Sequence, residues 1–139
     1  MKQEIVMMKP LKRILTIDDD DDIRRIGALV LKKKGGFDVV SKPSGQEALD
    51  YLESSTGNNL PDLIILDVMM PEMDGPQTLE AIRGLEPHAS ALIPIIFMTA
   101  KCQADEVERL IDLGAAGVIP KPFDAMTLSG QVREIWEGI

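Results

Sequence analysis

Cysteine, histidine and aromatic residues are nearly missing from this sequence, and each scarcity removes a class of function. One cysteine, Cys102, excludes an internal disulfide and a cysteine-built zinc site, as suits a reducing cytoplasm. The one histidine, His88, lies in the polar stretch from Glu86 to Ser90 and is expected to be exposed and idle. No apolar run exceeds about five residues, far short of a membrane span. The amino terminus has Lys2 and the short patch Ile5-Val6-Met7-Met8 but no secretory core, so residues 1–11 are expected to form a loose leader and 12–139 the folded domain. Basic charge is in deficit as well. Fifteen Lys and Arg face 23 Asp and Glu, a net charge of −8 that repels nucleic acid backbones and anionic membranes, so neither is an expected direct partner.

What remains is an ordinary globular composition, 45% hydrophobic and 27% charged over 139 residues, which suits one domain. Its apolar residues come in short continuous bursts. Ile14-Leu15-Thr16-Ile17, Leu63-Ile64-Ile65-Leu66 and Ile95-Ile96-Phe97-Met98 are runs rather than alternations, with Val39-Val40 and Val118-Ile119 as shorter versions. Continuous runs mark strands buried on both faces, the habit of a parallel sheet covered by helices. Between them lie stripes at helical spacing: Ile23, Ile26 and Val30; Val107, Leu110, Ile111 and Gly114; Leu128, Val132 and Ile135. Gly35-Gly36 and Gly114 stand where helices should end, and Asp74-Gly75-Pro76 where one should start. The order is βαβαβαβαβα, without repeat or linker.

Each strand runs into something polar. Strand one ends in Asp18-Asp19, strand three in Asp67, strand four in Thr99 and strand five in Lys121. Open parallel sheets bind ligands outside the carboxyl ends of their strands, where the chain order reverses. In a five-stranded sheet of order 2-1-3-4-5, strands one and three are neighbours, so Asp18, Asp19 and Asp67 converge, with Thr99 and Lys121 reaching in. Three carboxylates at close range call for a proton or a cation. Oxygen-only ligands favour magnesium, manganese or calcium, and magnesium takes one or two carboxylates and often shares a phosphate. A carboxylate can also attack phosphorus to form an acyl phosphate. That reaction needs charge neutralisation, which a metal and the Lys121 ammonium would provide, while the Thr99 hydroxyl bonds a phosphoryl oxygen. An ionised aspartate has no proton to lose, so no histidine base is required.

Blander readings attach to the same residues. Asp20 and Asp21 are expected to be solvated loop acids, and Asp22 to favour a helix amino terminus. A helix-loop-helix calcium site fails, since Ile23 stands where its glycine and Leu29 where its glutamate would be. Thr99 taken alone would cap the next helix. Met69, Met70 and Met73 should pack or present a soft contact surface, and Trp136 should be a partly buried anchor. Cys102 carries no assigned role.

At these residues the chain resembles the receiver domain of bacterial two-component response regulators. The resemblance spans Lys12 to about Glu137. It rests on Ile14-Leu15-Thr16-Ile17-Asp18-Asp19, on Leu66-Asp67-Val68-Met69-Met70-Pro71-Glu72-Met73-Asp74-Gly75, on Met98-Thr99-Ala100 and on Lys121-Pro122-Phe123. It implies a flavodoxin-like, doubly wound fold of the single-domain chemotaxis-regulator kind, with helices on both faces. It implies that a histidine kinase or histidine phosphotransfer protein passes a phosphoryl group to Asp67. Magnesium would be held by Asp19, Asp67 and the backbone carbonyl of Met69, with Asp18 assisting through water, and Thr99 and Lys121 would contact the phosphoryl group. The Lys121-Pro122 peptide is expected to be cis. The chain would be a monomer or weak dimer that changes its surface for an unknown downstream protein, a switch rather than an enzyme turning over an external substrate. Val118 stands where the family often has a mobile aromatic, and Ala115-Ala116-Gly117 where its dimerising, DNA-binding branch carries acids. No output domain is expected within the 139 residues. The rival is a phosphatase of the haloacid dehalogenase type, whose Asp-x-Asp-x-Thr/Val signature would start at Asp18 but meets Asp22 at its fifth position.

Overall fold

The computed structural model describes residues 9–139, so most of the expected leader lies outside the described residues. The elements follow in strict alternation: β1 (Arg13–Ile17), α1 (Asp21–Lys33), β2 (Asp38–Lys42), α2 (Gly45–Ser54), β3 (Leu63–Asp67), α3 (Gly75–Arg83), β4 (Ile95–Thr99), α4 (Ala104–Asp112), β5 (Gly117–Pro120) and α5 (Leu128–Glu137). All strand pairs are parallel, in the order β2-β1-β3-β4-β5. This is the doubly wound α/β fold expected.

Why the apolar runs do not alternate is visible in the two cores. Successive side chains of a strand point to opposite faces, and here both faces are covered. Leu15, Ile17, Ile64, Leu66, Ile95 and Phe97 pack with Ala48, Leu49 and Leu52 of α2, Leu79 and Ile82 of α3 and Leu110 of α4. Ile14, Leu63, Ile65, Ile96, Met98 and Ile119 pack on the other face with Leu31 of α1 and Leu128 and Val132 of α5. Each such Leu, Ile, Val, Phe or Met side chain contributes about 1.5–3 kcal/mol on burial. Leu11, placed by its sequence in the leader, is buried in this second core.

The helix ends correct two expectations. Asp20 is not an idle loop acid; its carboxylate accepts the N–H groups of Asp22 and Ile23, both at 3.0 Å, and caps α1. Asp21 and Asp22 occupy the first turn, where their charge opposes the helix dipole favourably. At α3 the expected start is present as a reciprocal box, Asp74 accepting from the Gln77 N–H and Gln77 from the Asp74 N–H, each at 2.9 Å. Two stripes are out of phase with the expectation. Ile26 is 52% exposed and Ile111 42%, so neither faces the core. On α1 the inward place belongs to Gly27, against which the Phe123 ring lies at 3.7 Å from a notional Cβ. A glycine that admits a ring leaves no mark in an apolar pattern.

Candidate functional site

The β1–β3 register pairs Ile17 with Leu66, so the next residues, Asp18 and Asp67, lie side by side. Asp18 is held by its own N–H on the Lys42 carbonyl (3.2 Å), which prolongs the β1–β2 pairing. Thr99 ends β4 beside them, and Lys121 follows β5, its N–H on the Thr99 carbonyl at 2.8 Å. The β3–α3 connection must turn sharply away. A side chain at Gly75 would begin 2.6 Å from the Asp67 carbonyl oxygen, so this close approach requires glycine.

Asp18, Asp19 and Asp67 each offer a carboxylate oxygen within 4.8 Å of the others. The Lys121 ammonium bridges two of them, 3.0 Å from Asp18 and 3.2 Å from Asp67. Burial and the neighbouring Asp18 charge push the Asp67 carboxyl above its ordinary pKa, against the opposing pull of Lys121 and the Met69 N–H. Burial lowers the pKa of Lys121, but the hydrogen bond and charge of Asp18 and then Asp67 outweigh it and raise the value, so the ammonium stays charged. Oδ1 of Asp18 accepts the Asp20 N–H at 2.9 Å while Oδ2 takes Lys121, so this carboxylate is already committed. Asp19 is exposed, and among the described residues its carboxylate has no hydrogen-bonding partner. Thr99 does not cap the following helix, whose N-cap is Gln103. Its hydroxyl instead accepts the Lys101 N–H at 3.0 Å, which leaves the hydroxyl proton free to be donated.

The model of the response regulator receiver domain matches residues 14–133. The chain belongs to this family. The Escherichia coli K12 transcriptional regulatory protein CpxR is 35% identical over 127 residues, 90% of this chain and 49% of its own length. Response regulator MprA of a Mycobacterium species (strain KMS) is 37% identical over 123 residues, 88% of this chain and 50% of its own. The chain thus spans about half the length of these curated relatives. The chemotaxis response regulator CheY4 of Vibrio cholerae superposes with a TM-score of 0.78 at 27% identity, covering 91% of this chain and 99% of its own. A receiver domain of a signal transduction histidine kinase from Syntrophus aciditrophicus does so with a TM-score of 0.74 at 29% identity, covering 92% of each chain.

Receiver domains generally bind magnesium at an acidic pocket, and the donor set here fits that ion. All side-chain donors are oxygens, and the uncommitted carboxylate of Asp19 stands at the open end of the cluster. The cavity lined by Asp18, Asp67, Arg24 and Gly27 is only about 30 Å³, room for a water or two.

Every residue singled out for this receiver's site is therefore gathered at one end of the sheet, with Met69 69% exposed at its rim and Met70 buried. The Lys121-Pro122 peptide is cis. Val118 is half-buried against the first core, and Trp136 packs part-buried on the second. His88 departs from expectation. It is half-buried, and its Nδ1 lies 3.1 Å from the Ser90 N–H, which it accepts to cap a short 3₁₀ turn. Cys102 is exposed in the loop before α4. Sequence reasoning missed Arg24, whose guanidinium donates to the Asp18 backbone carbonyl at 2.7 Å. An arginine one turn into a helix after an acidic strand end was the available signal.

Proposed function

We propose that this receiver is a phosphorylation switch in which Asp67 is the phosphoacceptor. The observation that carries the reading is the Lys121 ammonium 3.0 and 3.2 Å from Asp18 and Asp67, set among three carboxylates at the strand ends. A carboxylate oxygen of Asp67 attacks the phosphorus of a phosphohistidine on a kinase or phosphotransfer protein. A P–O bond forms as the P–N bond breaks, and the histidine leaves with the electron pair and takes a proton. Lys121 offsets the negative charge of nucleophile and phosphoryl group, and the Thr99 hydroxyl donates to a phosphoryl oxygen from the position that Lys101 fixes. Asp19, Asp67 and the Met69 carbonyl would hold magnesium, with Asp18 acting through water, and the bound ion would supply further charge neutralisation. Asp18, already engaged by Lys121 and the Asp20 N–H, suits that indirect role.

The protein then acts through partners rather than by turnover, as a cytoplasmic monomer or weak dimer with a protein target downstream. Its folded unit, expected over residues 12–139, takes in Leu11 as well, whose side chain lies in the second core. Two substrates separate this reading from a phosphatase. Acetyl phosphate with magnesium should place one phosphoryl group per chain, and p-nitrophenyl phosphate should be hydrolysed no faster than by buffer. Sustained turnover of p-nitrophenyl phosphate would overturn the switch in favour of an enzyme.

A further inference from the structure

We infer that Arg24 is a positioning residue for the cation site, holding the Asp18–Asp19 peptide so that the Asp19 carboxylate faces the strand ends. The inference rests on the reading that Asp19 holds the cation. Asp18 itself is secured by its N–H and by Lys121, and its carboxylate accepts the Asp20 N–H in a turn that spans Asp19, but none of these contacts holds the Asp18 peptide oxygen. Asp19 is exposed and has no side-chain partner among the described residues, so its direction depends on that turn and on the peptide plane that joins it to Asp18. The oxygen of that plane is the atom Arg24 grips. One arm of the guanidinium donates to the Asp18 carbonyl at 2.7 Å and the other to Oδ1 of Asp21 at 2.6 Å.

The planar fork ties strand end to helix start with two donors held in fixed relation, which a lysine ammonium, a point charge on a flexible stem, does not reproduce. Its side chain is only 18% exposed, and one turn further along α1 Gly27 leaves room for Phe123. The arm to Asp18 is therefore a charge-assisted bond to a backbone oxygen, short and poorly accessible to competing water. Coulomb's law alone gives Arg24 the opposite role. A positive charge beside three carboxylates repels a dication, so its removal should tighten binding. Positioning and charge thus differ in sign, and the sign can be measured.

The test is a magnesium titration at constant ionic strength, followed through the backbone amide resonances of Asp18 to Asp20 and of Met69 in isotope-labelled protein. Arg24→Met keeps the stem and removes both arms, and should weaken magnesium binding by about tenfold, the usual loss when a residue orienting a ligand is removed. Arg24→Lys keeps the charge without the rigid fork and should recover only part of that loss. Magnesium bound by Arg24→Met as tightly as by the wild type, or more tightly, would overturn the inference. Should Arg24→Met fail to fold, Arg24→Lys decides alone: weaker binding at unchanged charge supports positioning, and unaltered or tighter binding refutes it. Asp19→Ala in the same series separates the two levels. If its affinity is unchanged, the cation reading falls and the role of Arg24 with it. If it binds weakly while the Arg24 variants match the wild type, only the positioning role is lost.

Discussion

Asp62 stands just before β3 and Asp67 closes it, so a single strand carries a buried carboxylate at each end, 9% and 4% exposed. Their surroundings are opposite. Asp62 accepts the N–H groups of Lys12 and Arg13, both at 2.9 Å, and pairs with the Lys9 ammonium at 2.9 Å. Burial works against its charge, but the Arg13 N–H, then Lys9 and the Lys12 N–H, overcome burial and hold its carboxyl below the ordinary value. Asp67 is pushed up instead, by burial first and then by the Asp18 carboxylate, with which it shares its one ammonium. A satisfied carboxylate fastens the amino end of the sheet. On the proposed reading, the crowded one at the carboxyl end is kept in readiness for incoming positive charge and a phosphoryl group. The same residue type, buried at both ends of one strand, is held below or above its ordinary value according to how deeply it is buried and how many donors meet it.

The largest expected difference is chemical. Asp67→Asn should lose all labelling by acetyl phosphate and magnesium, whereas Asp62→Ala should label fully, as intact mass would show. Equal loss in both variants would erase the contrast. Stability should respond the other way. Asp62→Ala leaves two backbone N–H groups without their acceptor and should cost roughly 3 kcal/mol in denaturant titrations. Asp67→Asn in metal-free buffer removes a repelled, desolvated charge and should gain about 1 kcal/mol.

Dependence on pH sharpens the same contrast. Because the folded pKa of Asp62 is lowered, its contribution is complete above the unfolded carboxylate pKa and is lost as pH falls through the folded value. For Asp67 the folded pKa is raised, so its contribution is a penalty, complete above that folded value and absent below the unfolded one. Acid titration of stability without metal should therefore become shallower in Asp62→Ala and steeper in Asp67→Asn. A common shift in one direction would contradict the opposed assignments. The smallest effect concerns the lifetime of the phosphoryl group. Met69 and Lys101 stand two residues beyond Asp67 and Thr99 and are both exposed; on the proposed reading they flank the approach of an in-line water, which a thioether would orient poorly. The label should persist for minutes or longer, and Met69→Asn should shorten it several-fold. Decay within seconds in the wild type would refute this role.

Val118 bears on how the switch is read out. Its stiff, small side chain is half-buried and offers little volume change on rotation. The phosphoryl group should instead act through the Thr99 hydroxyl, whose bond to the Lys101 N–H ties it to the loop leading into α4. With beryllofluoride as a phosphoryl mimic, amide resonances from Thr99 to Val107 should shift. Thr99→Ala should accept phosphate yet leave α4 unmoved, and a full helix response in that variant would place the route elsewhere.

The strands and the five side chains at their ends were legible in the sequence because each rests on a local pattern, whereas the strand order came with the family resemblance and the doubly wound fold it implies. Runs such as Leu63 to Leu66 announce double burial, and the residue after a run lies at the strand's end wherever the strand goes. Asp62 and Arg24 were not legible, since their roles depend on partners brought close only by folding: Asp62 meets Arg13 across 49 positions. Asp20 was hidden by its neighbours, because five consecutive aspartates do not show which of them turns back on the helix. The exposure of Ile26 followed from the turn of α1 that places Gly27, rather than a larger residue, against Phe123.

The most direct measurement locates the phosphoryl group. The protein is treated with acetyl phosphate and magnesium, reduced with borohydride, which converts an aspartyl phosphate to homoserine, and mapped by peptide mass spectrometry. Homoserine at position 67, and nowhere else, is the expected result. Homoserine at Asp18, Asp19 or Asp62, or a phosphate on His88 or a serine with Asp67 intact, would contradict the assignment of Asp67 as the acceptor.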